Sequence, residues 1–199
     1  MAVGHRWAGE LSGTDHARTC QERDGAIIMI TLVLTEPIAG RLRELAKHDV
    51  ETGAVLLARL VRTPSGSLRL LGRHLAEVPE TAYERRESDL LLITSDGYVP
   101  ALNLAEAEGC VPIWLHTHPG SGSSPKPSIH DRHVDEQLTD LFRLRANNEF
   151  YGAVVMSHDG GRLTFAGHLD DGEHTHEIDR LLVVGDRLEL QLSYLSELE

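Results

Sequence analysis

Short apolar runs rich in β-branched residues alternate along the chain with segments whose apolar positions recur every three or four residues. Ala26 to Leu34 (AIIMITLVL) is a run of the first kind and predicts a strand. Thr35 suits an N-cap, Pro37 falls in a first helical turn, and Ile38, Leu42, Leu45 and Ala46 then follow at helical spacing. A helix is therefore expected, ending in the segment His48 to Gly53 (HDVETG). Gly53 to Val61, the turn Thr63 to Ser67 (TPSGS) and Leu68 to Leu75 make a hairpin. Beyond Pro79 a charged stretch (ETAYERRESD) leads to a strand at Leu90 to Ile93 and a helix at about Val99 to Glu108.

Val111 to Leu115 is a short buried strand that runs straight into His116. The only strongly Gly/Ser/Pro-rich segment, Thr117 to Ser128 (THPGSGSSPKPS), comes next, inside the domain rather than between domains. Ile129 to Arg145 then carries Val134, Leu138, Leu141, Phe142 and Leu144 at helical spacing, and Tyr151 to Ser157 and Arg162 to Leu169 form a hairpin around Asp159-Gly160-Gly161. In the last third, Ile178 to Val184 and Leu188 to Leu195 read as a helix and a strand. The alternation implies an α/β (α+β) fold, a mixed sheet flanked by helices on both faces. Residues 1–25 lack periodicity and are expected to be a flexible leader, 26–170 the domain, and 171–199 a C-terminal extension that packs on the domain or contacts a partner.

Composition narrows the function. With 31 acidic against 19 basic residues the formal charge is -12, which disfavours phosphate backbones and anionic lipid, so neither nucleic acid nor membrane is an expected partner. Aromatic content of 5% argues against a stacking platform for bases or sugars. Two cysteines, Cys20 and Cys110, allow no disulfide framework or Cys-rich metal site, and no apolar stretch approaches the ~20 residues of a bilayer span. The expected location is cytoplasmic.

The chemistry concentrates after Val111. His116 and His118, two apart at a strand end, can aim both imidazoles at one ion while Thr117 points away. Twelve histidines in 199 residues give roughly 0.7 such pairs by chance, and a second pair, His174 and His176, does occur in the polar run DDGEHTHE. It reads as solvated surface. The first pair is distinguished by Pro119, the Gly/Ser loop, and Ser128-x-x-Asp131 opening a helix. Asp131 would be a third ligand, leaving the fourth position of a tetrahedral ion open. Ser128 serves as the helix N-cap, and its hydroxyl could also donate to an oxyanion. Cys110 reads as a core residue, and His130 and His133 as helix surface or support around the ligands.

The segment WLHTHPGSGSSPKPSIHD resembles the His-x-His-Pro…Ser-x-x-Asp signature of the JAMM/MPN+ metalloproteases, in particular their prokaryotic JAB members. The acidic residue and glycine of HDVETGAVLLA resemble a second feature of that family, and the resemblance covers roughly Ile30 to Leu169. It implies an MPN/JAB fold akin to the cytidine-deaminase-like architecture, one Zn2+ per chain on His116, His118 and Asp131, and Glu51 as general base. It further implies hydrolysis of peptide or isopeptide bonds at the C-terminus of ubiquitin or a ubiquitin-like protein or its conjugate, with an E1-like adenylating protein as a candidate partner. Alternatives are a processing protease for a ubiquitin-like or sulfur-carrier precursor, and a non-catalytic MPN scaffold. One departure stands out: nine residues separate His118 from Ser128 where the family commonly has seven, an insertion a surface loop can absorb.

Overall fold

The computed structural model describes residues 29–122 and 124–195; the expected leader, Cys20 included, lies outside the described residues. The elements in chain order are β1 (Ile30–Thr35), α1 (Glu36–Leu45), β2 (Thr52–Arg62), β3 (Leu68–Glu77), β4 (Tyr83–Arg86), β5 (Leu91–Ile93), α2 (Val99–Glu108), β6 (Val111–Ser121), α3 (Ile129–Ala146), β7 (Tyr151–Asp159), β8 (Arg162–Asp170), β9 (Thr175–Glu177), β10 (Arg180–Val184) and β11 (Leu188–Leu192). Nine strands form one mixed sheet in the order β11-β10-β1-β3-β2-β6-β7-β8-β9, and β4 and β5 pair separately. The class is mixed α/β.

Period-two alternation divides the core between the two faces of the sheet. Leu32, Leu34, Leu56, Ile113 and Phe165 point to one side, where α1 buries Ala39, Leu42 and Leu45. Val55, Leu57 and Trp114 point to the other, against Ala101, Leu102 and Ala105 of α2 and Phe142 and Ala146 of α3. Cys110 is wholly buried in this second cluster.

Helix α1 touches β1, β3 and β10 and also β8. Four strands stand between β1 and β8. At about 4.8 Å per strand a flat sheet would hold them roughly 24 Å apart, twice the width of a helix, so the sheet must curl around α1. Backbone bonds from Ile178 N–H to Gly167 and from Tyr194 N–H to Phe165 tie the two ends of the curl together.

Two expectations are corrected. Ile178 to Val184 does not form a helix: Arg180–Val184 is strand β10, paired in parallel with β1, and Ile178, Leu181 and Val183 are buried at the alternate spacing a strand requires. The strand predicted at Val111 to Leu115 continues to Ser121, so His116 and His118 lie within β6 rather than beyond it. Residues 175–192 thus supply three strands of the main sheet. No helix among the described residues is long and apolar enough to cross a membrane.

Candidate metal centre

The β2–β6 register builds the site. Gly53 pairs with His116 and Thr52 with Thr117, an antiparallel progression that sets Glu51 opposite His118. Thr117 is fully buried, and its Oγ1 accepts from the Thr52 N–H at 3.1 Å, which locks the two strands where Glu51 enters. Trp114 and His116, two apart on β6, share the sheet face covered by α2 and α3. An added methyl at Gly53 would sit 2.7 Å from Trp114 Cη2, so only glycine fits there.

Helix α3 supplies the remaining carboxylate. Ser128 caps it in a reciprocal box: Ser128 Oγ accepts from Asp131 N–H at 3.1 Å, and Asp131 Oδ2 accepts from Ser128 N–H at 2.6 Å. The same Asp131 faces both imidazoles, Oδ1 lying 3.3 Å from His116 Nε2 and Oδ2 3.4 Å from His118 Nε2. The chain between His118 and Ser128 therefore returns Asp131 to the two histidines. Gly120 and Gly122 both have positive φ, +92° and +74°, which lets the chain turn back after β6.

Glu51 is 5% exposed, and its Oε1 lies 3.9 Å from His118 Nε2. Donor atoms of Glu51, His116 and His118 all fall within 4.8 Å of one another, a grouping that could hold a metal ion. Adjacent ligands of a tetrahedral ion with bonds of about 2.0–2.1 Å are about 3.3 Å apart. Asp131 reaches each imidazole at about that separation, but through a different oxygen for each, and Glu51 Oε1 stands slightly further from His118.

The donor chemistry also fits a cation. His116 Nε2 is buried with no hydrogen bond; Asp131 Oδ1 is near it but not aligned as an acceptor. His118 Nδ1–H donates to the Ser124 carbonyl at 2.8 Å, which in the neutral ring leaves a lone pair on Nε2. That lone pair looks at two carboxylates, an arrangement that is favourable only with a proton or a metal between them. Burial is the largest influence on His118 and favours its neutral form, but Asp131, the Ser124 carbonyl and Glu51 outweigh it and raise its pKa. Burial likewise acts most strongly on Asp131, yet the two imidazoles and the Ser128 N–H hold its carboxyl well below the usual range. In Glu51 burial prevails over the pull of His116 and His118 and pushes the carboxyl up.

Arg86 was not singled out by the sequence, where it is one charge among many in ETAYERRESD. In the fold its guanidinium lies 4.6 Å over the Tyr83 ring and donates to the Glu51 carbonyl at 2.8 Å, Thr52 Oγ1 at 2.7 Å, His48 Nδ1 at 3.1 Å and Glu80 at 2.9 Å. It clamps the segment that carries Glu51. Glu51 N–H donates to the Glu87 carbonyl at 2.8 Å, so the β4–β5 hairpin fixes Glu51 from both backbone groups.

Of the neighbouring histidines, His130 lines a small cavity with Glu51, Leu91, Trp114 and Val134, while His133 is exposed beside Gln137. The second pair, His174 and His176, lies on the β8–β9 hairpin, where Asp171 Oδ2 contacts His176 Nε2 at 2.9 Å. His174 is exposed, and these three residues are a second grouping that could hold a metal ion. No protein-family model matches the chain, and no curated protein is significantly similar to it.

Proposed function

We propose that this chain is a zinc-dependent hydrolase of the JAMM type with an MPN-like fold, cleaving a peptide or isopeptide bond at the C-terminus of a ubiquitin-like protein. The observation that carries this reading is the convergence of Glu51, just ahead of β2, His116 and His118 of β6 and Asp131 of α3, the carboxylates lying within 3.9 Å of an imidazole. His116, His118 and Asp131 would hold the metal. Two nitrogens and one carboxylate oxygen with a position left open are a donor set typical of catalytic zinc. Zinc, when bound, polarises the scissile carbonyl and acidifies water.

The chain's own groups do the rest. Glu51, buried and raised in pKa, is a carboxylate poised to accept a proton from the attacking water and return it to the leaving amine. Arg86 keeps that carboxylate's backbone in place. The Ser128 hydroxyl spends a lone pair on the Asp131 N–H, which leaves its proton to donate to the oxyanion of the tetrahedral intermediate. The Nδ1–H bond of His118 to Ser124 sets the tautomer that presents Nε2 inward.

The substrate class rests on the resemblance of the His-x-His-Pro…Ser-x-x-Asp segment, and an extended Gly-ended tail is what could lie along a strand beside the centre. Under this reading the protein works in a reducing, cytoplasmic setting, and an E1-like adenylating protein is its candidate partner. The direct test is cleavage of a ubiquitin-like protein fused through its C-terminal amide. Turnover that disappears with chelation and returns with zinc supports the proposal; turnover indifferent to chelator contradicts it.

A further inference from the structure

A bond held at the metal centre must extend past it on both sides, and the two sides differ. Toward Glu51 and Leu91 the cavity is only about 20 Å³. On the other side of His116 and Asp131 a half-open cavity of about 290 Å³ lies between the first turns of α3 and strands β7 and β8. Its volume is at the lower end of small-ligand pockets, about 300 Å³. Trp114, Ala153, Val155, Ala166 and Leu195 give it apolar walls, and the small side chains of Ala153 and Ala166 make the room.

Charge at this cavity is asymmetric. Asp135 reaches it, but its carboxylate accepts from Tyr151 Oη at 2.8 Å and faces His168 Nε2 at 3.2 Å. Asp131 is turned to the imidazoles. Lys126 and Arg132 also line the cavity, both exposed, and neither forms an ion pair among the described residues; the one side-chain bond of Arg132 goes to the Pro127 carbonyl at 3.3 Å. In a chain with 31 acidic and 19 basic residues, two cations without an acidic partner among the described residues, beside one apolar cavity, favour an anion there.

We propose that this cavity selects the residue on one side of the scissile bond, and that the residue it takes is aliphatic with a carboxylate beside it. The inference rests on the hydrolase reading for its link to a scissile bond. The carboxylate has two sources with the same chemistry: the free C-terminus of a single leaving residue, or an acidic side chain adjoining the aliphatic residue in a longer chain.

Binding to the full-length zinc-loaded protein, followed by methyl NMR shifts and calorimetry, tests it without requiring turnover. The probes are N-acetyl-leucine, N-acetyl-leucinamide, N-acetyl-glycine and N-acetyl-Leu-Asp-amide. At least one of the two leucine probes bearing a carboxylate is expected to bind about tenfold tighter than leucinamide and than acetyl-glycine, the spread typical of one apolar pocket or one charge contact. Which of them does so identifies the source. Lys126→Gln with Arg132→Gln should erase the acid-over-amide preference and keep leucine over glycine, while Ala166→Leu should erase the latter. The two surface substitutions keep the test open should Ala166→Leu fail to fold. Equal binding of acid and amide, or of leucine and glycine, overturns the proposal. Selective binding by a protein that cleaves nothing would overturn the hydrolase reading and leave the pocket standing.

Discussion

Replacing Glu51 by Gln should move activity and stability in opposite directions. The Glu51 side chain is 6% exposed, its nearest cationic partner is His118 Nε2 at 3.9 Å, and the hydrogen bonds that fix the residue run through its backbone. Gln keeps the shape and removes the charge. As the general base of the proposed reaction, Glu51 would contribute about 10²–10⁴-fold in rate, or about 3–5 kcal/mol of barrier. Under the proposed ligand set of His116, His118 and Asp131, the metal content should not change. In the chelated protein the sign reverses. Burial raises the Glu51 carboxyl above 4.5, so the unfolded chain releases this proton first and folding stability falls as pH rises through that interval, then stays low above it. Glu51→Gln removes that penalty and should stabilise the chelated protein near pH 7 by about 1–3 kcal/mol, the cost of a buried group without a good partner. The gain should vanish near pH 4, where both states bind the proton. Denaturant unfolding of chelated protein at both pH values, with turnover and metal content of the loaded protein, gives all the quantities. Wild-type turnover in Glu51→Gln would remove Glu51 as the base, and a less stable variant at neutral pH would mean that its buried charge carries no penalty.

Three further outcomes are expected. The raised pKa of His118 means that in chelated protein the stability due to its protonated form is full below 6.5 and lost as pH climbs through the folded value. Metal uptake should therefore release protons and tighten with pH, measurable from the buffer dependence of the calorimetric binding heat. Arg86→Met removes the clamp on Glu51 but touches no ligand, so kcat/KM should fall about tenfold to a hundredfold with full metal content; unchanged kcat/KM would show that the hairpin does not position Glu51. Ser128→Ala should cost about 0.5–2 kcal/mol through the lost helix cap and, where the hydroxyl also serves an oxyanion, about 10²–10³ in kcat. A stability loss with normal kcat would leave Ser128 as a cap alone.

Most strands and helices up to Leu169 were legible because each is locally encoded, by alternation or by a 3.6-residue repeat; β4 was not, since YERR lies in a charged run without apolar alternation, and neither was the continuation of β6 to Ser121. So were the site's residue types: the His116–His118 pair, Asp131 on a capped turn and the acidic residue of HDVETG, although α1 ends at Leu45 and Glu51 lies beyond it, at the entry to β2 rather than at a helix end. What the sequence does not carry is pairing at long range. Ile178 to Val184 has a pattern too short to distinguish helix from strand, and it is decided by parallel pairing with β1, 149 residues away between Ile30 and Asp179. The role of Arg86 was hidden for the same reason: a charge in a charged run is usually solvated, and only the β4–β5 hairpin brings this one onto Glu51. The cavity under α3 has no linear signature, since its walls come from β6, β7, β8 and the chain end.

Whether His116, His118 and Asp131 hold one metal ion is decided by metal analysis of the purified chain. The expected result is about one zinc per chain at the high-affinity site, lost in His116→Ala with the fold intact by circular dichroism. A second, weaker equivalent that survives His116→Ala and disappears in His174→Ala belongs to the β8–β9 hairpin. A folded wild-type chain that takes up no zinc, or whose zinc is indifferent to His116→Ala, would mean that these three residues are not a zinc site.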